Sequence, residues 1–92
     1  MANLEMEFGI KIVEAKTFAQ RFLGFMFKSK ADYAVLFIHC KSIHTFFMRF
    51  NLDIVFLDKN FKVLAVKKNV KPWRLVFGIK NCTHILEIPS SV

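Results

Sequence analysis

The sequence predicts a mainly β fold at the margin of α+β: a curled antiparallel sheet, or a partly closed β-barrel, of about six strands with one short helix. Three observations carry the prediction. The apolar runs are short, as at residues 34–38 and 54–57, rich in Val, Ile and Phe, and divided by polar breaks, which is how strands read. Only one stretch combines helix punctuation with helical spacing. Finally, 54% of the 92 residues are hydrophobic, twelve of them Phe, so one core can be filled without disulfide staples, although the chain is too short for a second.

A first strand is expected near residues 8–14. Thr17-Phe-Ala-Gln20 then has the spacing of a capping box, in which the Thr hydroxyl takes the third backbone N–H and the Gln side chain reaches back to the cap. Beyond the cap, Phe18, Phe22, Phe25 and Met26 recur at i, i+4, i+7 and i+8, an apolar stripe predicted to face the core with Gly24 on the other side. Further strands are expected near 34–39, 44–49, 52–58, 61–68 and 83–88. The clearest hairpin joins residues 52–58 to 61–67 through Lys59-Asn60, since Asp and Asn tolerate turn geometry that β-branched residues resist. So many short strands in so small a chain favour a sheet that curls, with the helix covering one opening.

Residues 1–92 are expected to form one domain, because the three Gly and two Pro are scattered and no Ser/Gly/Pro-rich or single-charge block marks a linker. The opening residues carry Glu5 and Glu7 and no basic start, unlike a secretory leader. No apolar run approaches the roughly twenty residues that span a bilayer. Cys40 and Cys82 form no C-x-x-C pair and are too few for a disulfide framework, so a reduced, cytoplasmic setting is expected. Fourteen Lys and Arg against seven Asp and Glu give a net charge of +7, which favours an anionic partner without naming one.

Several segments together resemble a known family. Arg21-Phe-Leu-Gly24-Phe-Met26-Phe is similar to the R-x-x-G-L-M-F segment of the domain of unknown function 192 family (DUF192), an uncharacterised bacterial and archaeal family. His44-Thr-Phe-Phe-Met48-Arg-Phe-Asn-Leu52-Asp53-Ile-Val-Phe56-Leu-Asp58 resembles its F-W-M-[KR]…L-D-[IV]-x-F-[IL]-D segment. Pro72-Trp73-Arg74 and Ile85-Leu86-Glu87-Ile88-Pro89 resemble its two later segments, in the same order and spacing. Phe61 stands at a turn position usually held by Gly, Phe47 at an aromatic position usually held by Trp, and Ser90-Ser91-Val92 lacks the usual Gly. The resemblance implies a compact β-rich domain and brings no established activity or catalytic residue.

Charged residues that interrupt apolar elements are the candidates for a site. Arg21 falls at the edge of the helical stripe, where an unpaired charge is costly, so it needs an acidic partner or a ligand. Asp53 opens an apolar strand and Glu87 lies inside another, so a structural ion network with Arg21 competes with an anion-holding site. The candidate ligand set is Arg21, His44, Asp53, Trp73, Arg74 and Glu87, at the barrel mouth, for an anionic small molecule. His39, Cys40, His44, Cys82 and His84 lack the tight spacing of a zinc site, and no metal or cofactor is assigned. No nucleophile paired with a base is legible, so a non-enzymatic domain is favoured and a small hydrolase-like enzyme is the third reading. The runner-up is sequence-tolerant nucleic-acid binding through Lys67, Lys68, Lys71, Trp73 and Arg74, four cations beside one stacking ring. The leading expectation is a non-enzymatic binding or interaction domain, as a monomer or weak homo-oligomer.

Overall fold

The computed structural model describes residues 2–91, so Met1 and Val92, the two ends of the expected unit, lie outside the described residues. The elements follow as α1 (Ala2–Phe8), β1 (Lys11–Glu14), α2 (Phe18–Leu23), β2 (Tyr33–Phe37), β3 (Ser42–His44), β4 (Leu52–Leu57), β5 (Val63–Val70), β6 (Leu75–Phe77) and β7 (His84–Pro89). The fold is mainly β, as expected. A curled, open five-stranded sheet in the order β1-β2-β7-β4-β5 is accompanied by a two-stranded sheet of β3 and β6. Pairing is antiparallel throughout except between β1 and β2, which run parallel.

Strand alternation divides the large sheet into two faces. On one, Leu36 of β2, Val55 and Leu57 of β4 and Leu86 and Ile88 of β7 pack with Leu4 of α1 and Ile12 of β1. On the other, Phe37, Ile54, Phe56 and Ile85 pack with Phe25, Met48, Ile43 of β3 and Val76 of β6. With both faces covered, all six residues of the central strand β7 are buried.

α1 occupies residues where the sequence suggests no element, and the strand expected from residue 8 begins only at Lys11. Gly9, at φ +66°, ends the helix in the left-handed region with its N–H donating to the Glu5 carbonyl at 2.8 Å. The Glu5 carboxylate also accepts from the Ile12 N–H at 2.7 Å, tying helix to strand. So short a helix is held by such tertiary contacts rather than by its own propensity.

The α2 capping box forms: Gln20 N–H donates to Thr17 Oγ1 at 3.0 Å and Thr17 N–H to Gln20 Oε1 at 3.1 Å. The stripe beyond it does not face the core. Phe18 is 85% exposed and Phe22 55%, whereas Phe25 is fully buried. The helix stops at Leu23 and the chain turns at Gly24, so Phe25 and Met26 no longer share a helical face with Phe18 and Phe22.

The strand expected over 44–49 is likewise absent. β3 ends at His44, and the buried Thr45 starts a turn instead. Its hydroxyl donates to the Lys71 carbonyl at 2.8 Å and accepts from the Arg74 N–H at 2.9 Å, while its carbonyl accepts from the Trp73 N–H at 3.0 Å. These bonds to the loop before β6 replace a strand ladder. The expected β4/β5 hairpin is present, with Asp58 Oδ1 accepting from the N–H groups of Asn60 at 2.8 Å and Lys62 at 2.9 Å. Phe61 there has φ +64°, a conformation that explains why Gly suits this position.

Candidate ligand pocket beneath the second helix

The site begins with strand alternation in β7. Ile85 and Glu87 point to the same face, and Glu87 sits between Val35 of β2 and Ile54 of β4 on the neighbouring strands. A carboxyl group is thereby placed in an apolar layer with only 1% exposure, and its Oε1 meets no hydrogen-bond donor among the described residues. Burial disfavours the charged form and pushes its pKa from 4.5 up to about 8, leaving a neutral acid at physiological pH.

Glu87 faces a cavity of about 120 Å³. Phe37, Ile43 and Met48 supply apolar walls, and Arg21, Phe22 and Gly24 cover it from α2 and the turn beyond. Cys40, Ser42 and His44 complete the rim. Gly24 has a local reason to be glycine: its φ is +49°, and a Cβ there would stand 3.4 Å from both Glu87 Oε1 and the Phe37 ring.

The rim groups are fixed by backbone partners. Arg21 donates from Nη1 to the Ile38 carbonyl at 2.7 Å and from Nη2 to the His39 carbonyl at 3.3 Å, so carbonyls, and not a carboxylate, hold it in place. His44 Nδ1 accepts from the Phe46 N–H at 3.1 Å, which leaves the hydrogen on Nε2, 3.3 Å from the Phe22 carbonyl. The Cys40 thiol donates to the Ser42 carbonyl at 3.0 Å, and burial raises its pKa, so it is not an activated thiolate. With both His44 nitrogens engaged, the pocket holds no free nucleophile and base pair.

The structure therefore brings together Arg21, His44 and Glu87, and places the other three candidate residues elsewhere. Asp53 Oδ1 accepts from the Asn69 N–H at 3.0 Å and the Ser90 hydroxyl at 2.7 Å, a structural cap across the sheet edge. Trp73 packs on Phe47 and Phe46, with ring centroids 4.7 and 5.9 Å away. Arg74 joins Lys67, Lys68 and Lys71 along an open groove beside β5. Cys40, Ser42, Met48 and Gly24 join the site through the fold, and among them Gly24, three residues after Arg21, carries the signal visible in the sequence. No three His, Cys, Asp or Glu side chains are grouped to hold a metal ion among the described residues, and none of their helices is long and apolar enough to cross a membrane.

Comparison with known proteins identifies a family and a fold. A family model described as Uncharacterized ACR, COG1430 (DUF192) matches residues 3–92. A UPF0127 protein of Pyrococcus horikoshii is 41% identical over 95% of this chain and 77% of its own length. Another, from Thermococcus sibiricus, is 36% identical over 85% of this chain, which spans only 54% of that relative. A crystal structure of a protein of unknown function from Novosphingobium aromaticivorans superposes with a TM-score of 0.76 at 19% identity, over 87% of this chain and 63% of that one. That likeness shows the fold.

Proposed function

Since the chain belongs to the DUF192 family, whose matched relatives carry no activity in their names, its function is read from the cavity, and we propose a non-enzymatic domain that binds a small anionic molecule also bearing a hydroxyl or amine. The observation that carries this reading is the unpartnered Glu87 Oε1 on a cavity whose rim bears Arg21. A buried carboxyl oxygen without a partner is costly, and a ligand hydroxyl or amine that pairs with the neutral acid recovers that cost. As a neutral acid, Glu87 sets no negative charge against an anion. Arg21, steadied by two carbonyls, keeps further N–H groups for one, because a guanidinium has five. A cavity of 120 Å³ suits a molecule of about four to six heavy atoms, the size of a small hydroxy- or aminocarboxylate.

The test is an NMR titration of the chain with glycolate, lactate and glycine, using acetate as the probe that lacks a donor. Saturable shifts at the amides of Gly24, Cys40 and His44, stronger for glycolate than for acetate and lost in Arg21→Met, are expected. Equal responses to glycolate and acetate, or an unchanged response in Arg21→Met, would remove the pocket assignment.

A further inference from the structure

Around the pocket mouth the surface is built from rings. Phe18, Phe22, His44, Phe46, Trp73, Phe47 and Phe27 touch in that order, their centroids 4.7–6.5 Å apart at each contact. The chain of rings crosses three segments, residues 17–28, 39–50 and 71–77. Every exposed Phe or Trp among the described residues lies on these segments, whereas the large apolar side chains exposed elsewhere are aliphatic or Met. In sequence these segments carry six cations, Arg21, Lys28, Lys41, Arg49, Lys71 and Arg74, and no acidic residue; in space Arg21 lies at the pocket rim and Lys71 and Arg74 lie together beside β5, while Lys28 and Lys41 line grooves that also hold Glu14 and Asp58.

The backbone holds three of these rings out at a cost. Phe27, Phe47 and Trp73 have φ of 65°, 62° and 67°, in the left-handed region that bulky residues avoid, and they pack in series. Each such residue costs on the order of 1 kcal/mol or more and persists only where its surroundings impose it. Here the imposing contacts include the bond from Trp73 N–H to the Thr45 carbonyl and, at 3.0 Å, that from Phe27 N–H to the Phe47 carbonyl.

We infer that this face binds single-stranded nucleic acid, with bases stacked on the exposed rings and phosphates held by the flanking cations. The inference goes beyond the pocket and uses a different surface from the basic 67–74 stretch, of which only Lys71, Trp73 and Arg74 take part. Charge and shape select the occupant. A second copy of the chain carries the same net charge of +7 and is repelled. An acidic peptide would meet the cations but leave the flat faces unused, and a duplex hides its bases. A polyanion with a planar apolar group on every unit meets both features.

The experiment is fluorescence anisotropy of a short labelled oligothymidylate titrated with the chain across a series of salt concentrations. Saturable binding that weakens steeply with salt is expected. Trp73→Ala and Phe22→Ala should each weaken it roughly fivefold to a hundredfold, the range for losing one base stack. Phe18→Ala, at the most exposed ring, keeps the test independent of folding and should also weaken binding. Lys71→Gln with Arg74→Gln should flatten the salt dependence. No binding at low salt overturns the inference, and so do ring variants that bind like the parent, leaving charge alone. Stronger binding to a duplex of equal length, to polyglutamate or to anionic phosphatidylglycerol vesicles overturns it too and identifies the partner class instead.

Discussion

Leu86 and Glu87 are neighbours in β7 and are both buried, yet they belong to different kinds of surface. Leu86 points into the layer beneath α1, where nearly every side chain is apolar and the buried polar group at its margin, His84, is satisfied by the His39 N–H at 3.0 Å. Glu87 points into the layer beneath α2, where an acid lacks a partner, a cavity remains and the covering helix turns Phe18 and Phe22 to solvent. One face satisfies the demands of a core. The other departs from them in burial and hydrogen bonding, and three bulky residues there, Phe27, Phe47 and Trp73, have left-handed backbone, against one, Phe61, packed on the first face. Local conflicts with folding rules concentrated in this way point to selection for something other than stability.

Substitutions on the two faces are therefore expected to behave differently. The largest effect is expected for Leu86→Ala, which opens a hole in a closed apolar layer and should cost about 2–5 kcal/mol in urea unfolding, with no change in ligand or oligonucleotide binding by the folded fraction. Glu87 should show itself through pH. Its folded-state pKa of about 8 lies above the ordinary 4.5, so between these values the folded chain holds a proton that the unfolded chain releases. Its contribution is therefore complete below pH 4.5 and is lost as pH rises through 8. The slope can reach about 1.4 kcal/mol per pH unit, and relaxation around the charged form should hold the total loss to about 2–3 kcal/mol. Unfolding midpoints measured at acidic and alkaline ends of that window should converge in Glu87→Gln; a wild-type midpoint flat across the window would show that Glu87 is not buried as described. The smallest effect is expected for Phe18→Ala, within about 0.5 kcal/mol because the ring is exposed. A larger loss would return Phe18 to the core and dissolve the contrast.

The same division explains what could be read from the sequence. The β class, the Thr17–Gln20 box and the β4/β5 hairpin rest on local rules, and they stand in the structure. The helical stripe did not, because periodicity reports which residues share a face and not whether anything packs against it; here the helix ended before Phe25 could join it. Thr45 was hidden inside an apolar run that reads as strand, since its bonds to Lys71 and Arg74 span more than twenty residues of sequence. In the pocket, Arg21, His44 and Glu87 were visible as polar residues in apolar company. Asp53 was visible for the same reason and has an ordinary capping role, a distinction that only the fold supplies.

The position of β7 also bears on how the chain is made. It follows every other strand in sequence and lies at the middle of the sheet, paired with β2 on one side and β4 on the other. Until residues 84–89 have emerged from a ribosome, β1 with β2 and β4 with β5 are two separate ribbons, each with a bare edge and an unroofed apolar surface. Assembly must then be a late event that depends on distant pairings, which are slow to form and leave the nascent chain open to aggregation. The carboxyl group that defines the pocket arrives in the same stroke that closes the sheet.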